Sequence, residues 1–590
     1  MKYLDPLPRT IVTEDAWIPM PNGVRLHARI WRPEDSTAAP VPGLLEYLPY
    51  RLDDWTAPRD SERHPYYAGH GYASIRVDIR GTGSSDGHFD DEYSQQEQRD
   101  GLAVIEWIAA QPWCDGSLGM FGISWGGFNS LQLASHAPEA LKAIVTVCSS
   151  DDRYDNDVHY MGGAMLGIDM ASWAGTMFAF NSRPPRPDVV GDRWVEQWRD
   201  RLQSTRPMGA TWLSHQERDD YWRQGSVCED YSSIKAPVLA VGGWHDPYRD
   251  TVLRLLENLE SPARGIIGPW SHQYPDRGLA PGPGMGFLQE TVRWWDRWLK
   301  GVRNGADAGP QLRAYMPDAV RPATYYEERP GRWVGLDGWP SDAVTSQTLR
   351  LADAGCNVPV HQGQAVVKSP QHTGMDAGRY FPYGNETDLP PDQRSEDGRS
   401  ASFDFAPLTE PVELLGKVKL RLKLASDQRQ ANVVARLCDV APDGSSTLVT
   451  RGVLNLNKRN GRHRADPMPA GESVDVIFDM VSVGYAVPAG HTLRLATSSA
   501  YWPWVWPHAE EAALTLDVAE CRMELPAYRP TDDTPDVEMG EPEQSRPLPI
   551  DALAKTNGEV SSAFIAPAQR STWNDAATGE WVLDVDPGYG

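Results

Sequence analysis

The stretch LGMFGISWGGFNSLQLASHA (residues 118–137) decides the fold. It begins as a short apolar run, turns through Gly122–Gly127 and continues from Phe128 as a helical pattern. A serine with glycines two positions before and after it, between a strand and a helix, is typical of a nucleophile elbow. Small neighbours leave room for the sharp turn, and the helix N-terminus directs its amide dipoles at Ser124. Because the chain contains 52 glycines, the strand and the helix carry more weight than the glycines themselves.

Short apolar segments alternate with helical patterns through the first part of the chain. In 100–110, for example, Leu102, Ile105 and Ile108 share one side of a predicted helix. The apolar segments are rich in β-branched residues and end in glycine-rich turns, as buried parallel strands do; they are 43–47, 73–78, 118–121, 143–147, 238–241 and 264–267. This order predicts an open, mostly parallel sheet covered by helices, with functional residues beyond the carboxyl ends of its strands.

Two changes of sequence pattern divide the chain into four predicted parts. Residues 149–235 interrupt the alternation with Met-rich and Trp/Arg-rich helical stretches, which indicates an inserted, mainly helical cap. From 345 onward apolar and polar residues alternate strictly, which predicts antiparallel sheets and a β-sandwich or jelly roll. We therefore predict an α/β-hydrolase core over 1–148 and 236–344, the cap over 149–235, and a C-terminal β jelly-roll domain over 345–590.

The sequence offers a complete set of partners for the serine. A serine nucleophile needs a histidine to take its proton and a carboxylate to orient that histidine. In α/β-hydrolases these residues follow one another as Ser, Asp and His. GGWHD (242–246) follows one predicted strand and GPWSH (268–272) follows the next. We predict that Ser124, Asp246 and His272 form a catalytic triad.

These motifs have two other interpretations. His245 adjoins Asp246 and could be the base, but His272 would then have no role and the chain order would be broken. Asp246 taken alone would be a turn residue before Pro247. Its position in register with the serine and histidine motifs favours catalysis.

An oxyanion hole requires two donors aimed at the developing negative charge. The backbone N–H of Trp125 supplies one, because this residue follows the nucleophile. The second is expected from the loop EYLPYR (46–51), which contains no HGGG-type glycine run. A tyrosine hydroxyl is the candidate there, and the residues alone leave Tyr47 and Tyr50 open.

Composition excludes several classes of partner. The net charge of −25 disfavours nucleic acid and anionic lipid. No stretch of about 18 apolar residues exists, so no membrane span is predicted. The N-terminal sequence lacks the pattern of a signal peptide, and the six cysteines form no CxxC pair, so we expect a cytoplasmic protein without disulfides. The Trp-rich composition allows a homo-oligomer without requiring one.

The sequence points to no metal or cofactor. HExxH-type spacing is absent, and RGTGSSDG (80–87) lacks the lysine and spacing of a nucleotide loop, so we interpret it as a turn after a strand. Four aspartates (151, 152, 155 and 157) could bind a cation or a substrate amine, or could be a solvated face, which is the preferred interpretation for Asp155 and Asp157. Among predicted substrate contacts, Met161 and Trp173 of the cap line a mainly apolar pocket, and Asp152 is the acidic candidate.

These motifs together resemble the cocaine esterase / X-prolyl dipeptidyl aminopeptidase family (CocE/NonD), which includes the α-amino-acid ester hydrolases. The resemblance spans nearly the whole chain and rests on RGTGSSDG (80–87), GISWGG (122–127), GGWHD (242–246), GPWSH (268–272), WWDRWLKGVRNG (294–305), PLTEPVELLGKVKLRLKLASD (407–427) and VPAGHTLRLATSS (487–499). It implies a hydrolase core, a helical cap and a C-terminal jelly roll. It also implies the same triad and an oxyanion tyrosine, for which Pro49-Tyr50 matches the family position.

The sequence departs in two places from the pattern that this resemblance implies. The amino-ester hydrolases carry acidic residues soon after the catalytic aspartate, whereas here Pro247, Tyr248 and Arg249 follow. Arg249 would repel a substrate ammonium, and we expect it to favour a carboxylate. Trp125 stands where a tyrosine commonly follows the serine, which reshapes the acyl pocket.

We therefore predict a serine hydrolase that cleaves a small carboxylic ester or amide through an acyl-enzyme, without cofactor or metal. The alternatives are an X-prolyl-type exopeptidase, a β-lactam acylase or amino-ester hydrolase, and acyl transfer to an amine or alcohol. A catalytically silent binding protein is the alternative from another class.

Overall fold

The computed structural model describes residues 1–381, 388–530, 537–548 and 569–586. The first domain is built on a ten-stranded sheet. Its strands lie in the order Gly331–Leu336, Leu312–Pro317, Ala263–Gly268, Val238–Gly243, Leu141–Val147, Cys114–Ile123, Val41–Leu48, Ala73–Asp78, Arg25–Pro33 and Ile11–Pro19. The strands from Leu312–Pro317 to Ala73–Asp78 run parallel, and antiparallel strands close both edges. The predicted mostly parallel sheet is confirmed.

The register of the central strands places their carboxyl ends side by side. Ile123 pairs with Val147, which also pairs with Val241. Gly243 in turn pairs with Gly268. The residues that follow these four strands therefore meet at one edge of the sheet, as expected for a site beyond the strand ends.

Five helices cover this sheet: Ala57–Gly69, Gln95–Ala109, Trp125–Ala134, Arg249–Asn258 and Phe287–Trp298. The last is strongly amphipathic and buries Leu288, Thr291 and Trp295 against the strands. A Cβ on Gly119 of the nucleophile strand would lie 2.7 Å from the Trp295 ring, so glycine allows the helix to approach this closely.

Residues 149–235 are mostly helical, and their buried side chains, such as Met177 and Trp212, belong to the same apolar core as the sheet. The segment begins with a hairpin of Tyr160–Met161 and Ala164–Met165. The α-helices are Gly167–Asn181, Pro187–Val190, Trp194–Ser204, Met208–Ser214 and Asp220–Arg223, and short 3₁₀ turns lie at Gly191–Arg193, Val227–Glu229 and Tyr231–Ser233.

The C-terminal part contains two antiparallel sheets around one apolar core. One sheet comprises Val344–Arg350, Val360–His361, Gln364–Val367, Val412–Gly416, Lys419–Ser426, Val474–Asp479, Val483–Val487, Leu514–Asp517 and Arg522–Tyr528. The other comprises Gly355–Cys356, Ala401–Asp404, Asn432–Val440, Ser446–Asn455 and Thr492–Ser498. The helix Arg394–Asp397 and 3₁₀ turns at Leu351–Asp353 and Leu456–Lys458 connect them. Alternating residues such as Leu420, Leu422 and Leu424 face the core. We call this part the β domain.

Two further strand pairs complete the described structure. Lys2–Leu4 pairs in parallel with Glu543–Ser545, and Gln569–Asp575 forms a hairpin with Glu580–Asp586. Parts of the predicted range 345–590, namely 382–387, 531–536, 549–568 and 587–590, lie outside the described residues. Across the part of the chain that is described, every helix is too short or too polar to cross a bilayer.

Candidate active site

Ser124 sits in a strained turn between the strand Cys114–Ile123 and the helix Trp125–Ala134. Its φ of 55° and ψ of −123° are unfavourable for a residue with a side chain, which is typical of functional turns. Its backbone N–H donates to the Val147 carbonyl at 2.9 Å. A Cβ on Gly122 would lie 2.5 Å from backbone atoms of Gly126, so the turn cannot close around a larger residue. The elbow therefore depends on glycine two residues before the serine.

Asp246 and His272 are in direct contact at the same sheet edge. The His272 Nδ1 lies 2.5 Å from Asp246 Oδ2. The Tyr248 N–H donates to the other oxygen, Oδ1, at 2.8 Å, which fixes the plane of the carboxylate. The Asp246 side chain is fully buried, whereas that of His272 is 15% exposed. This geometry holds one ring nitrogen of the imidazole and leaves part of the ring accessible.

Cys148 is a neighbour of this pair that the sequence analysis did not identify. Its thiol, Asp246 and His272 bring ligand-type atoms within 4.8 Å of one another. Burial raises the pKa of the Cys148 thiol well above its usual value, and the Asp246 charge adds to the effect. The residue therefore remains a neutral thiol beside the carboxylate.

The two candidate tyrosines have different environments: Tyr47 lies within the strand Val41–Leu48, not in a loop as predicted, and Tyr50 lies in the loop that follows it. Burial raises the pKa of Tyr50, and its interaction with Ser124 only partly opposes this shift, so the hydroxyl keeps its proton. Tyr47 is fully buried and its hydroxyl donates to the Glu97 carbonyl at 3.2 Å. Of the two hydroxyls, that of Tyr50 is next to the serine.

Trp125, whose N–H was predicted as an oxyanion donor, is anchored by a buried carboxylate. Its indole Nε1 donates to Glu97 Oε1 at 2.6 Å, and Asn129 Nδ2 donates to the same oxygen at 2.9 Å. Burial raises the pKa of Glu97 to about 7, although these two hydrogen bonds oppose the shift. No sequence motif marks Glu97, which lies on the neighbouring helix Gln95–Ala109.

Replacing Glu97 with glutamine is expected to change the pH dependence of stability. A carboxyl whose pKa rises from 4.5 to about 7 on folding binds its proton more tightly in the folded state. Its stabilising contribution is complete below pH 4.5 and is lost as the pH rises through 7. Glu97→Gln should therefore gain about 1–3 kcal/mol in free energy of unfolding relative to wild type between about pH 5 and pH 8. Denaturant titrations of both proteins at several pH values measure the difference; parallel pH profiles would contradict the expectation.

Aromatic rings cluster around the ring of Tyr50. The ring centroids of Trp125 and Trp173 each lie 6.2 Å from that of Tyr50, and that of Phe180 lies 5.8 Å away. The Trp173 indole nitrogen lies 3.4 Å from Glu92 Oε2. The predicted pocket residue Trp173 is thus beside Tyr50, and Phe180 is a further wall residue.

Two other predicted substrate contacts have different surroundings. Met161 is 8% exposed and belongs to an apolar cluster with β-domain residues that include Tyr501 and Trp504. Asp152 accepts the Tyr154 N–H and lies 3.5 Å from Arg218. Both side chains are occupied by these contacts, so we do not carry them into the proposed pocket.

The expectation that Arg249 binds a substrate carboxylate is corrected by its burial. The side chain is 1% exposed, and its Nη1 donates to the Tyr380 hydroxyl at 3.1 Å. The arginine is therefore engaged between two domains and is not available to substrate.

His245, the alternative base, lies 3.3 Å from Arg329 Nη1, and burial lowers its pKa well below the usual value.

Three groups of metal-type side chains occur among the described residues: Cys148 with Asp246 and His272, Asp15 with His27 and Asp53, and Glu46 with Asp60 and His64. Arginines already neutralise carboxylates of the last two groups: Arg29 contacts Asp15 at 2.7 Å and Asp53 at 2.8 Å, and Arg59 contacts Glu46 at 3.1 Å. In the first group, Asp246 already accepts hydrogen bonds on both oxygens.

Comparisons with known proteins agree with this architecture. Residues 22–274 match the model described as X-Pro dipeptidyl-peptidase (S15 family), and residues 304–535 match the model of the X-Pro dipeptidyl-peptidase C-terminal non-catalytic domain. Cocaine esterase from Rhodococcus sp. (strain MB1 Bresler) is 26% identical over 540 residues, which cover 83% of this chain and 91% of that protein.

A more distant relative and a solved structure of the same fold also match over most of the chain. A putative Xaa-Pro dipeptidyl-peptidase from Streptomyces avermitilis is 22% identical over 78% of this chain and 72% of its own length. The crystal structure of a CocE/NonD family hydrolase from Staphylococcus aureus, 18% identical, superposes with a TM-score of 0.68 over 88% of this chain and 94% of its own. The chain is a hydrolase that carries an X-Pro dipeptidyl-peptidase (S15 family) domain and an X-Pro dipeptidyl-peptidase C-terminal non-catalytic domain, and its homologues include proteins named cocaine esterase and putative Xaa-Pro dipeptidyl-peptidase.

Proposed function

We propose that this protein is a serine hydrolase that cleaves a small carboxylic ester through an acyl-enzyme, with Ser124 as nucleophile. The observation that carries the proposal is the 2.5 Å contact between His272 and Asp246, at the same sheet edge as the strained Ser124 turn. A serine elbow, an imidazole and a buried carboxylate in one place are the parts that such chemistry needs.

Each residue then has one role in the reaction. The Ser124 hydroxyl attacks the substrate carbonyl carbon while His272 accepts its proton. Asp246 holds the imidazole in the tautomer that can accept, and stabilises the imidazolium. The Tyr50 hydroxyl and the Trp125 N–H donate to the oxyanion. His272 returns the proton to the leaving oxygen, and water activated by the same histidine releases the acid.

Replacing Tyr50 with phenylalanine tests the side-chain half of the oxyanion hole. The change removes one donor while keeping the ring among its aromatic neighbours, so kcat should fall by about 10²-fold with little effect on folding. Tyr47→Phe is the matched control, because its hydroxyl contacts the Glu97 carbonyl instead. Steady-state assays with an aryl ester measure both variants. A larger loss for Tyr47→Phe than for Tyr50→Phe would contradict the assignment.

The second candidate function is that of an X-prolyl exopeptidase, after the relatives with that name. An exopeptidase must recognise a substrate ammonium, for which a free carboxylate is the usual partner. Glu92 lies behind Trp173, but its Oε1 is 3.1 Å from His159 and its Oε2 faces the indole. This pairing and the aromatic cluster around Tyr50 favour a neutral, apolar acyl or leaving group.

Parallel assays separate the two candidates. We expect kcat/KM for an aryl ester to exceed that for an X-Pro anilide, and added amine or alcohol to test acyl transfer through the products formed. Faster cleavage of the anilide would favour the exopeptidase, and a dominant transfer product would favour an acyltransferase.

The net charge and the cysteines support proposals for the substrate and the compartment. A net charge of −25 disfavours nucleic acid as a partner, so we propose a small-molecule substrate. The six cysteines are unpaired, which supports a reducing compartment such as the cytoplasm.

A further inference from the structure

The segment that carries Asp246 is in contact with the β domain on both sides of the aspartate. A Cβ on Gly484 would lie 2.7 Å from the ring of Trp244, so the strand Val483–Val487 lies directly against this indole. On the other side, Asp250 Oδ1 accepts the Ser482 N–H at 2.7 Å. Asp250 also lies 3.5 Å from Lys417. Residues 482–484 of the β domain therefore contact Trp244, two positions before Asp246, and Asp250, four positions after it.

Arg249 is the most extensive of these contacts. Its Nε donates to the backbone carbonyl of Asp246 at 3.1 Å. Its Nη1 donates to the Tyr380 hydroxyl at 3.1 Å and lies 3.4 Å from the Ser482 carbonyl. The guanidinium carbon lies 4.5 Å from the Tyr380 ring centroid and 5.1 Å from that of Phe381. One side chain thus connects the aspartate backbone to two places in the β domain.

These contacts are unusual for a buried arginine. Buried charges are normally paired with an opposite charge. Among the described ion pairs none includes Arg249, and its Nη2 has no hydrogen-bond partner. Aromatic faces and carbonyl oxygens take the place of a carboxylate, an arrangement that suits a planar guanidinium and not a flexible ammonium. The residue is therefore held in one geometry by the β domain.

We propose that Arg249 is a positioning residue through which the β domain holds Asp246 against His272. This inference rests on the proposed triad and gives the C-terminal domain a part in catalysis. The physical reason is that the Asp246–His272 contact is short and must stay aligned while the imidazole gains and loses a proton. A displacement of the aspartate backbone by about 1 Å can cost about 10²-fold in rate.

The test compares Arg249→Met, Arg249→Lys and Tyr380→Phe with wild type. Arg249→Met keeps an apolar chain but removes every donor, so kcat for an aryl ester should fall about 10- to 100-fold with KM within about threefold. Arg249→Lys keeps one cationic donor but loses the planar group that contacts the Asp246 carbonyl and Tyr380 together, so its kcat should lie between those of Arg249→Met and wild type. Tyr380→Phe removes the hydroxyl that accepts from Arg249 and donates to the Val449 carbonyl at 2.8 Å, and it keeps the ring against the guanidinium. It should lower kcat by about threefold to tenfold, which keeps the test valid if Arg249→Met does not fold.

Lys458→Met is the matched control. Lys458 is a β-domain cation, 5% exposed, that contacts Glu217 of the helical segment at 3.1 Å without touching the Asp246 loop. It should lower the melting temperature while kcat remains unchanged. A kcat of folded Arg249→Met within twofold of wild type, or an equal loss in Lys458→Met, would overturn the inference. Wild-type protein that fails to react with a fluorophosphonate would instead contradict the proposed function, so the two failures are distinguishable.

Discussion

Replacing Ser124 with alanine is expected to lower kcat for an aryl ester by about 10⁴-fold or more, because triad residues act as a unit. The substitution removes one oxygen atom and keeps the Cβ, so the backbone of the turn does not have to change. Burial of the neighbouring helix is unchanged, so the melting temperature should stay close to that of wild type. Steady-state kinetics and thermal unfolding of the same preparation measure both quantities.

Ser135→Ala provides the control for this experiment. Ser135 lies at the C-terminal end of the same helix, and its hydroxyl donates to the Gln132 carbonyl at 2.7 Å. The same chemical change at this distance from the elbow should leave kcat unaltered. Retained activity in Ser124→Ala would remove the nucleophile assignment.

Replacing Asp246 with asparagine is expected to lower kcat by about 10³- to 10⁴-fold. Because Oδ1 of Asp246 accepts the Tyr248 N–H, the amide oxygen of asparagine will take that position. Its NH₂ group then faces His272 Nδ1, which lies 2.5 Å from Oδ2 in the wild type. A donor there forces the proton onto Nε2, and this tautomer cannot accept the proton of Ser124.

Asp246→Asn should lower the reaction rate and leave the folding of the protein intact. The variant is isosteric, so its melting temperature and its KM should change little while kcat falls. Activity within tenfold of wild type would show that Asp246 does not set the tautomer, and the histidine partner would have to be sought elsewhere.

The predictable parts of the molecule are those whose structure depends on residues close together in the sequence. The strand ends before Ser124, Asp246 and His272 are recognisable because each is a short apolar run followed directly by a glycine-containing turn. The order of the three residues along the chain is also fixed in this fold. Strict alternation in Lys419–Ser426 likewise reveals a strand with one buried face. Such features depend on residues within ten positions of each other.

The parts that were missed depend on contacts between distant segments. Arg249 was expected at a substrate because it follows Asp246, yet its partner Tyr380 lies 131 residues away. Glu97 supports Trp125 from another helix, and nothing in its own neighbourhood distinguishes it from a surface glutamate. Met161 has the composition of a pocket residue but packs against the β domain. Only the folded arrangement decides which face such a side chain meets.

The most direct test of the central claim is the intact mass of wild type and Ser124→Ala after treatment with a fluorophosphonate. Such a reagent reacts with a serine only when a neighbouring base activates it. We expect one adduct on the wild type and none on Ser124→Ala. No adduct on folded wild type, or an equal adduct on both proteins, would contradict that claim.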